Sequence, residues 1–285
     1  MPYPVSQTGL SRLGNLAQRL GLGRRPERRI RDAASRLSLP FRYLPLPSET
    51  IWWRDGPPLH RLPELPRGAL SGPVQEDKEA AHAMLVRLVE RELVAEPRLD
   101  LRRIDGLLGS HPISSRDTRL EDYADHCRKV RIISFRDFEK VLEGALPDAG
   151  PLPLRQASWR GERLFWAGEQ AEMLACLVVY ARRRELEVFR PALIERFQLS
   201  PEGVADLQQH FHALAMPFEA WSDPAFMALL LDSQLPYSRL KLFQSTQLPD
   251  FLLLPKQHPK ADALGQGLRL AGAPELADSL SRLLD

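Results

Sequence analysis

Apolar residues recur at helical spacing in the N-terminal and middle parts of this chain. Leucines at every third or fourth position predict a helix over residues 6–22, and Pro26 opens a second helix that carries Ile30 and Leu37 on one face. The same spacing over residues 76–95, with charges on the opposite face, predicts a long amphipathic helix. Further helices are predicted at 118–128, 135–144, 191–197, 200–214, 222–231, 264–271 and 274–284.

The most informative stretch is residues 152–186, which begins with the pattern of a β-hairpin. Two short strand patterns, 152–159 and 162–166, flank Arg160 and Gly161, a two-residue turn in which glycine supplies a positive φ. Other short strands are predicted at 130–133, 237–243 and 251–254.

Gly168 follows the hairpin and precedes a helix over residues 169–184. This helix is apolar almost all round, which is typical of a helix at the centre of a core. The sequence therefore predicts an α+β fold, in which a small mixed or antiparallel sheet packs on this helix and on the C-terminal helices.

Residues 40–73 contain eight prolines and show no regular period. Such a segment is expected to be an ordered wrap or an extended linker rather than regular structure. The adjacent Trp52 and Trp53 indicate that it packs on other parts of the protein. We predict two regions, a basic and proline-rich arm over residues 1–73 and an α+β body over residues 74–285.

Charge is distributed unevenly along the chain. Residues 1–36 carry eight arginines and two acids, a net charge of +6, whereas the whole chain carries +2 and the remaining 249 residues therefore sum to −4. A basic end on a mildly acidic body favours either an anionic partner or docking of the end onto the body.

The arginine cluster of this basic end is the first candidate site. It comprises Arg24, Arg25, Arg28, Arg29 and Arg31, of which the first, third and fifth share one helical face. Arginines in this arrangement bind phosphate backbones, which predicts nucleic acid or a nucleoprotein complex as the partner. The alternatives are an anionic membrane surface, a solvated helix face, and pairing with acids of the body.

The corner at Gly168 is the second candidate site. A helix N-terminus after a glycine favours phosphate, and Trp159, Trp166, Gly168, Glu169 and Gln170 are the residues of a candidate ligand pocket. The simpler interpretation is a tight strand-to-helix turn whose aromatic residues belong to the core.

Residues 130–186 resemble the core of the ParB and sulfiredoxin superfamily, in which a Gly-His-Arg type motif at a helix start holds nucleotide phosphates. The resemblance rests on the order strand 130–133, helix 135–144, paired strands, Gly168 and a buried helix. It implies a nucleotide as a possible ligand. Glu169 and Gln170 stand where a His-Arg pair is expected, so nucleotide-hydrolysing chemistry is expected to be lost.

Composition excludes several other classes of protein. The longest apolar run, residues 173–181, is too short to cross a bilayer, and two cysteines, Cys127 and Cys176, make no disulfide framework. We therefore expect reduced thiols and a cytoplasmic protein. The seven histidines show no metal-ligand spacing, and the sequence contains no nucleophile elbow, Walker loop or dinucleotide fingerprint.

Three functions remain open at this stage. The first is a non-catalytic interaction protein that binds an anionic partner through the arginine cluster. The second is a ParB-like protein that binds or hydrolyses a nucleotide at Gly168. The third is a structural subunit of a larger assembly. The whole chain also resembles an uncharacterised bacterial family, which adds no site residues.

Overall fold

Two sheets, each with its own helices, organise the chain. The computed structural model describes residues 25–44, 49–109, 118–146, 150–232, 234–243, 245 and 247–284. Contacts divide them into a first unit, drawn from segments 1–44, 66–84 and 205–279, and a second unit, drawn from 45–65, 85–204 and 280–285. This division differs from the predicted boundary at residue 73, because the proline-rich segment contributes to both units.

The helices and strands are as follows. The helices are α1 (Arg25–Ala34), α2 (Gln75–Leu85), α3 (Leu120–His126), α4 (Phe135–Ala145), α5 (Ala171–Arg183), α6 (Pro201–His210), α7 (Pro224–Asp232), α8 (Pro259–Leu270) and α9 (Leu276–Ser281). The strands are β1 (Leu70–Ser71), β2 (Val89–Asp100), β3 (Ile104–Leu107), β4 (Leu152–Ala157), β5 (Leu164–Trp166), β6 (Phe189–Leu199), β7 (Phe211–Met216), β8 (Ser238–Leu240) and β9 (Asp250–Pro255). The predicted α+β class is confirmed, with two sheets where one was expected.

The second unit is built on a five-stranded mixed sheet in the order β2-β6-β4-β5-β3. β2 and β4 flank β6, the first antiparallel and the second parallel to it. One face of the sheet packs on α5, whose Leu174, Ala175 and Val178 are buried against Leu154 and Ile194. The central position predicted for this helix is confirmed, and the predicted hairpin is present as β4 and β5, joined by a 3₁₀ turn with Gly161 at φ 63°.

The other face of this sheet is covered by part of the proline-rich segment. Trp53 packs its ring against Phe165 and Phe197, with centroid distances of 5.3 and 6.0 Å, and His60 joins the same aromatic cluster. Trp52 is buried in the α5 core. The expectation that the two tryptophans pack on the protein is therefore confirmed.

The first unit holds a four-stranded antiparallel sheet in the order β1-β8-β9-β7. Helix α1 packs on α8, and its Ile30 and Ala34 are buried in the core of this unit. The described part of the basic end is therefore docked onto the unit rather than extended into solvent, which was one of the two outcomes expected for it.

One predicted helix and the second half of another are strands in the structure. The helix predicted over 76–95 ends at Leu85 and continues as β2, and the segment predicted as helix 191–197 lies within β6. The two strands pair with each other over their length, and a bulge between Glu96 and Leu99 lies where Pro97 and Pro191 remove ladder hydrogen bonds. Their pairing with each other outweighs the local helical pattern.

Two further predictions of regular structure were wrong. The helix predicted over 200–214 ends at His210, and its apolar end forms the buried strand β7. Residues 130–133 are irregular rather than a strand, because the carboxylate of Asp137 accepts hydrogen bonds from the backbone N–H groups of Ile133 and Ser134. The element order on which the ParB resemblance rested thus lacks its first strand.

None of the helices in the described part of the chain is both long enough and apolar enough to span a bilayer. The predicted helix over 6–22 lies outside the described residues.

Candidate functional site

An open cleft of about 690 Å³ lies in the second unit, at the turn that joins β4 to β5. Four arginines line it, together with three acids, and we call it the arginine cleft. Its lining residues are Glu49, Asp105, Thr118, Arg119, Leu120, Glu121, Trp159, Arg160, Gly161, Arg163 and Arg182.

Arg160 is the most deeply buried arginine of the cleft, with 6% of the residue exposed. Its Nη2 donates hydrogen bonds to the carbonyls of Thr50 and Trp52, at 3.2 and 3.1 Å, and its guanidinium lies 4.8 Å from the ring centroid of Phe165. Nη1 is buried without a hydrogen-bond partner among the described residues. The guanidinium therefore keeps its full positive charge, since neutral carbonyls and a ring do not cancel it.

Burial and the charge of Arg163 lower the pKa of Arg160 to about 10, and Asp55 opposes this shift. A lowered pKa shows that the protein disfavours the charged form of this side chain. An anion bound beside it would remove that penalty.

Arg163 is the second arginine that is held mainly by carbonyl groups. It donates to the carbonyls of Glu49, Thr50 and Asp105 at 2.9–3.2 Å, and its guanidinium lies 5.4 Å from the same Phe165 ring. Gly161 and Glu162 both adopt positive φ, at 63° and 58°, and this sharp turn places Arg160 and Arg163 beside one ring.

Arg182, near the C-terminal end of α5, is already neutralised. Its guanidinium contacts Glu121 Oε1 at 3.1 Å and Asp105 Oδ1 at 3.2 Å, and it also donates to the carbonyls of Arg102 and Ile104. Burial opposes ionisation of Glu121, but hydrogen bonds from its own backbone N–H and from Arg182 outweigh it and lower its pKa. This ion-pair group fixes one wall of the cleft.

Arg119 lies at the rim, where 75% of its side chain is exposed. Its Nε is 3.9 Å from Glu121 Oε2, a loose surface contact of little energetic value. The side chain is therefore able to turn toward a ligand. Arg119, Arg160 and Arg163 together make the cleft suited to a phosphate group, since guanidinium groups bind phosphate through paired hydrogen bonds.

The residues predicted to form one ligand pocket lie in different places. Trp159 lines the arginine cleft, whereas Trp166, Gly168 and Glu169 line a separate cavity of about 550 Å³ beside Arg190. Gln170 is the N-cap of α5 and adopts φ 57°, so the positive φ of the corner belongs to Gln170 rather than to glycine.

Gly168 is required for packing rather than for conformational freedom. The indole of Trp166 folds over it and donates from Nε1 to the carbonyl of Glu169 at 2.8 Å. A Cβ at residue 168 would lie 2.3 Å from that ring. The space beside the Cα of Gly168 is thus filled by the ring of Trp166, which agrees with the interpretation of a tight turn.

The predicted arginine cluster is only partly described. Arg24 lies outside the described residues, and Arg25 begins α1. Arg28 and Arg29 are exposed, and Arg28 and Arg31 each lie 3.8 Å from Asp32. The cluster and the Gly168 corner belong to different units, since α1 is part of the first and Gly168 of the second.

Sequence reasoning named Arg160 only as a turn residue. It did not identify Arg119, Arg163 or Arg182 as residues of a site. The available signal was the density of arginines around the hairpin turn, three within residues 155–163.

For metals, the described residues contain no group of three or more His, Cys, Asp or Glu that could hold an ion.

Comparison with known proteins gives one family. A model of a family of unknown function, DUF6685, matches residues 94–285, about two thirds of the chain. The chain belongs to DUF6685. No curated protein and no solved structure matches it. The part matched to DUF6685 contains all four arginines of the cleft and excludes α1 with its arginine cluster.

Proposed function

We propose that this protein binds an anionic, phosphate-bearing small molecule in the arginine cleft, without catalysing a reaction on it. The single observation that carries the proposal is Arg160, a guanidinium buried at the cleft with no carboxylate in ion-pair contact among the described residues. A buried charge without a counter-charge is costly, so its presence at an open cavity favours a ligand that supplies the opposite charge.

The size and the charge of the cleft support the same ligand class. A volume of about 690 Å³ is in the range of small-molecule sites. Arg182 pairs with Asp105 and Glu121, and the four arginines of the lining exceed its three acids by one formal charge. The cleft therefore has an excess of positive charge for an incoming phosphate.

The test is a ligand panel on the full chain. Thermal unfolding and calorimetric titration are measured with phosphate, sulfate, ATP and citrate at two salt concentrations. A ligand that binds only the native protein raises the unfolding temperature, and an ionic site weakens as salt increases. In Arg160→Met we expect the affinity to fall at least about tenfold, the effect of removing a charge-assisted contact.

Arg183→Ala is the matched control, since this arginine is on the same helix as Arg182 but pairs with Asp125 outside the cleft. Its affinity is expected to equal that of the wild type. The proposal is overturned if millimolar anions leave the wild-type unfolding temperature unchanged, or if Arg160→Met and Arg183→Ala bind with equal affinity.

A second candidate is binding of nucleic acid through α1, favoured by the outward position of its arginines. Ile30 and Ala34 anchor the helix, which leaves Arg28 and Arg29 exposed on the first unit. Removing one arginine that touches a phosphate should lower the slope of log affinity against log salt by about one. DNA and RNA binding by the double variant Arg28→Ala/Arg29→Ala is compared with that of Arg67→Ala, another exposed arginine of the first unit.

The ParB-like nucleotide hypothesis is favoured by the cavity at Gly168. It has Arg190 on its wall beside Trp166 and Glu169, and Arg190 is exposed. The nucleotide titrations separate the two sites, since Arg190→Ala should weaken binding at Gly168 and Arg160→Met should weaken binding in the arginine cleft. The ParB hypothesis fails if Arg190→Ala leaves every nucleotide affinity unchanged.

A further inference from the structure

A short segment of the second unit combines unpaired cations with exposed apolar side chains. Residues 128–140, which follow α3 and extend into α4, contain five cations and two acids, a net charge of +3. We call this segment the basic-apolar patch. All five of its cations are exposed, namely Arg128, Lys129, Arg131, Arg136 and Lys140.

The cations of the patch lack the ion pairs that neutralise their neighbours. On the adjacent helix α5, Arg182 is paired with Glu121 of α3 at 3.1 Å, and the next residue, Arg183, is paired with Asp125 of α3 at 2.9 Å. Among the described residues, no carboxylate is in ion-pair contact with any of the five patch cations. One of the two acids of the segment, Asp137, is engaged in capping α4. The positive charge is therefore available to an external partner.

Two large apolar side chains of the same segment face solvent. Ile133 is 63% exposed and Phe135 is 54% exposed, whereas the neighbouring Ile132 packs beside the buried Phe138. The ring of Phe135 stacks on that of Phe138 with centroids 6.0 Å apart, and Phe138 stacks on Tyr180 of α5 at 5.4 Å. The exposed ring thus rests on an aromatic stack that reaches into the core of the unit.

The backbone between the two exposed side chains is fixed by a capping box. The hydroxyl of Ser134 accepts a hydrogen bond from the N–H of Asp137, and the carboxylate of Asp137 accepts from the N–H groups of Ser134 and Ile133 at 2.9 and 3.2 Å. Ile133 and Phe135 are therefore held at the surface by the fold itself. Exposed apolar side chains surrounded by charges are typical of an interaction site.

We propose that the basic-apolar patch binds the surface of a membrane that contains anionic phospholipids. The cations are attracted by the negative surface potential, and Ile133 and Phe135 insert at the boundary between headgroups and acyl chains. An anionic bilayer matches both features, because it presents negative charge over a broad surface and an apolar interior directly beneath it. This inference does not depend on anion binding in the arginine cleft.

A single-stranded nucleic acid matches the patch less well. Such strands are bound by cations together with aromatic rings on which successive bases stack. Within the patch, Phe135 is the one exposed ring, and the most exposed apolar side chain, Ile133, is aliphatic. The side chains therefore favour insertion into lipid over stacking on bases.

The test is binding of the full chain to large unilamellar vesicles, measured by co-sedimentation. Vesicles of phosphatidylcholine alone are compared with vesicles that also contain phosphatidylglycerol, at two salt concentrations. We expect binding to the anionic vesicles and none to the neutral ones, with an affinity that falls as salt increases.

The contribution of charge is measured with a double variant. Arg131→Ala/Arg136→Ala should lower the vesicle affinity about 25-fold, since each cation near an anionic surface contributes about fivefold. The matched control is Arg87→Ala/Arg103→Ala, which removes two exposed cations of the same unit outside the patch. Its affinity should differ from that of the wild type by less than about threefold, because salt screens distant charges.

The contribution of insertion is measured with a second double variant. Ile133→Ser/Phe135→Ser should lower the affinity at least about tenfold, because insertion of these side chains removes apolar area from water. The matched control is Leu93→Ser/Leu193→Ser, which replaces two exposed leucines on β2 and β6 of the same unit. It should bind the vesicles as the wild type does.

Four results would overturn the proposal. They are no binding of the wild-type chain to the anionic vesicles, equal affinities of the patch variants and their controls, an unchanged affinity of Ile133→Ser/Phe135→Ser, and binding of DNA or RNA oligonucleotides that the patch variants weaken while vesicle binding is unaffected. The last result would assign the patch to nucleic acid. Because the comparison of vesicles uses the wild-type chain, the proposal is tested even where a variant fails to fold.

Discussion

The buried ionisable groups of the two units have different kinds of partners. In the first unit, Glu275 has 4% of its side chain exposed and pairs with Arg269 Nε at 2.9 Å, and Nε2 of buried His212 donates to Asp262 Oδ1, 2.8 Å away. Asp250 likewise pairs with Arg239. In the second unit, buried Arg160 is held by carbonyls and an aromatic ring.

Under the proposed function, this difference separates buried charges that stabilise the fold from a buried charge that binds a ligand. A buried pair is self-contained, so its removal is expected to affect stability and nothing else. A buried cation without a counter-charge adds little to stability and leaves a favourable interaction to be made by an incoming anion.

Breaking the paired group of the first unit should have the largest effect. Glu275→Ala leaves Arg269 without its partner. It also removes the carboxylate whose Oε1 lies 3.9 Å from His212 Nδ1, the only carboxylate near that nitrogen among the described residues. We expect a loss of about 3 kcal/mol of unfolding free energy, measured by urea denaturation, with no change in anion affinity. Glu76→Ala, an exposed acid of the same unit, should change stability by less than about 0.5 kcal/mol.

A loss for Glu275→Ala as small as that of Glu76→Ala would remove the distinction between the two kinds of buried charge. It would show that Arg269, half of which is exposed, is adequately solvated without its partner.

Acid should destabilise the second unit through His60. Burial, Arg155 and Arg61 lower the pKa of His60 from 6.5 to about 4, so the native state binds this proton more weakly than the unfolded state. The contribution of neutral His60 to the free energy of unfolding is therefore fully present above about pH 6.5. It decreases by about 2 to 3 kcal/mol as pH falls toward 4. Denaturation followed by tryptophan fluorescence reports mainly this unit, which holds four of the five tryptophans.

The control is His60→Phe, which keeps a ring in the aromatic cluster and removes the titrating group. The difference in stability between wild type and variant should change over pH 4–6.5 and be constant above it. A constant difference over the whole range would mean that the pKa of His60 is the same in the native and the unfolded protein. Burial also lowers the pKa of His212, but hydrogen bonding to Asp262 opposes that shift.

Removing the unpaired cation should affect stability much less than breaking the pair. Arg160→Met loses two hydrogen bonds to carbonyls but also removes the cost of burying a charge, so we expect a change in unfolding free energy within about 1 kcal/mol. Urea denaturation of the variant checks this beside Glu275→Ala. A loss of about 3 kcal/mol or more of unfolding free energy would show that Arg160 stabilises the fold through its contacts with residues 50–52.

How much the sequence could predict follows from where the deciding interactions lie. α5 and the hairpin were predictable because their signals are local, an apolar helix and a glycine turn. β2 and β6 were not, because each becomes a strand only by pairing with the other, about 100 positions away in Val89↔Leu199 and its neighbours. β7 continues the apolar pattern of α6, and such short apolar runs do not distinguish a strand from a helix.

The candidate site was less predictable than the fold. The arginines of the cleft come from three separate segments, one before α3, one at the hairpin turn and one at the end of α5, and their convergence depends on the five-stranded sheet. The sequence itself shows a denser cluster at residues 24–31, because its arginines are neighbours along the chain. Burial without a counter-charge, the property that distinguishes Arg160, exists only in the folded chain.

The smallest expected effect concerns the rim of the cleft and refines the role of the unpaired charges. Arg119→Ala removes a side chain that is 75% exposed and loosely paired, so stability should change by less than about 0.5 kcal/mol. If Arg119 turns toward a bound phosphate, affinity should fall by about two- to fivefold, and the dependence of affinity on salt should weaken with it. Calorimetric titration at two salt concentrations measures both, with Arg183→Ala as the unaffected control. An unchanged affinity and salt dependence would confine the phosphate contacts to Arg160 and Arg163, the two cations that flank Phe165.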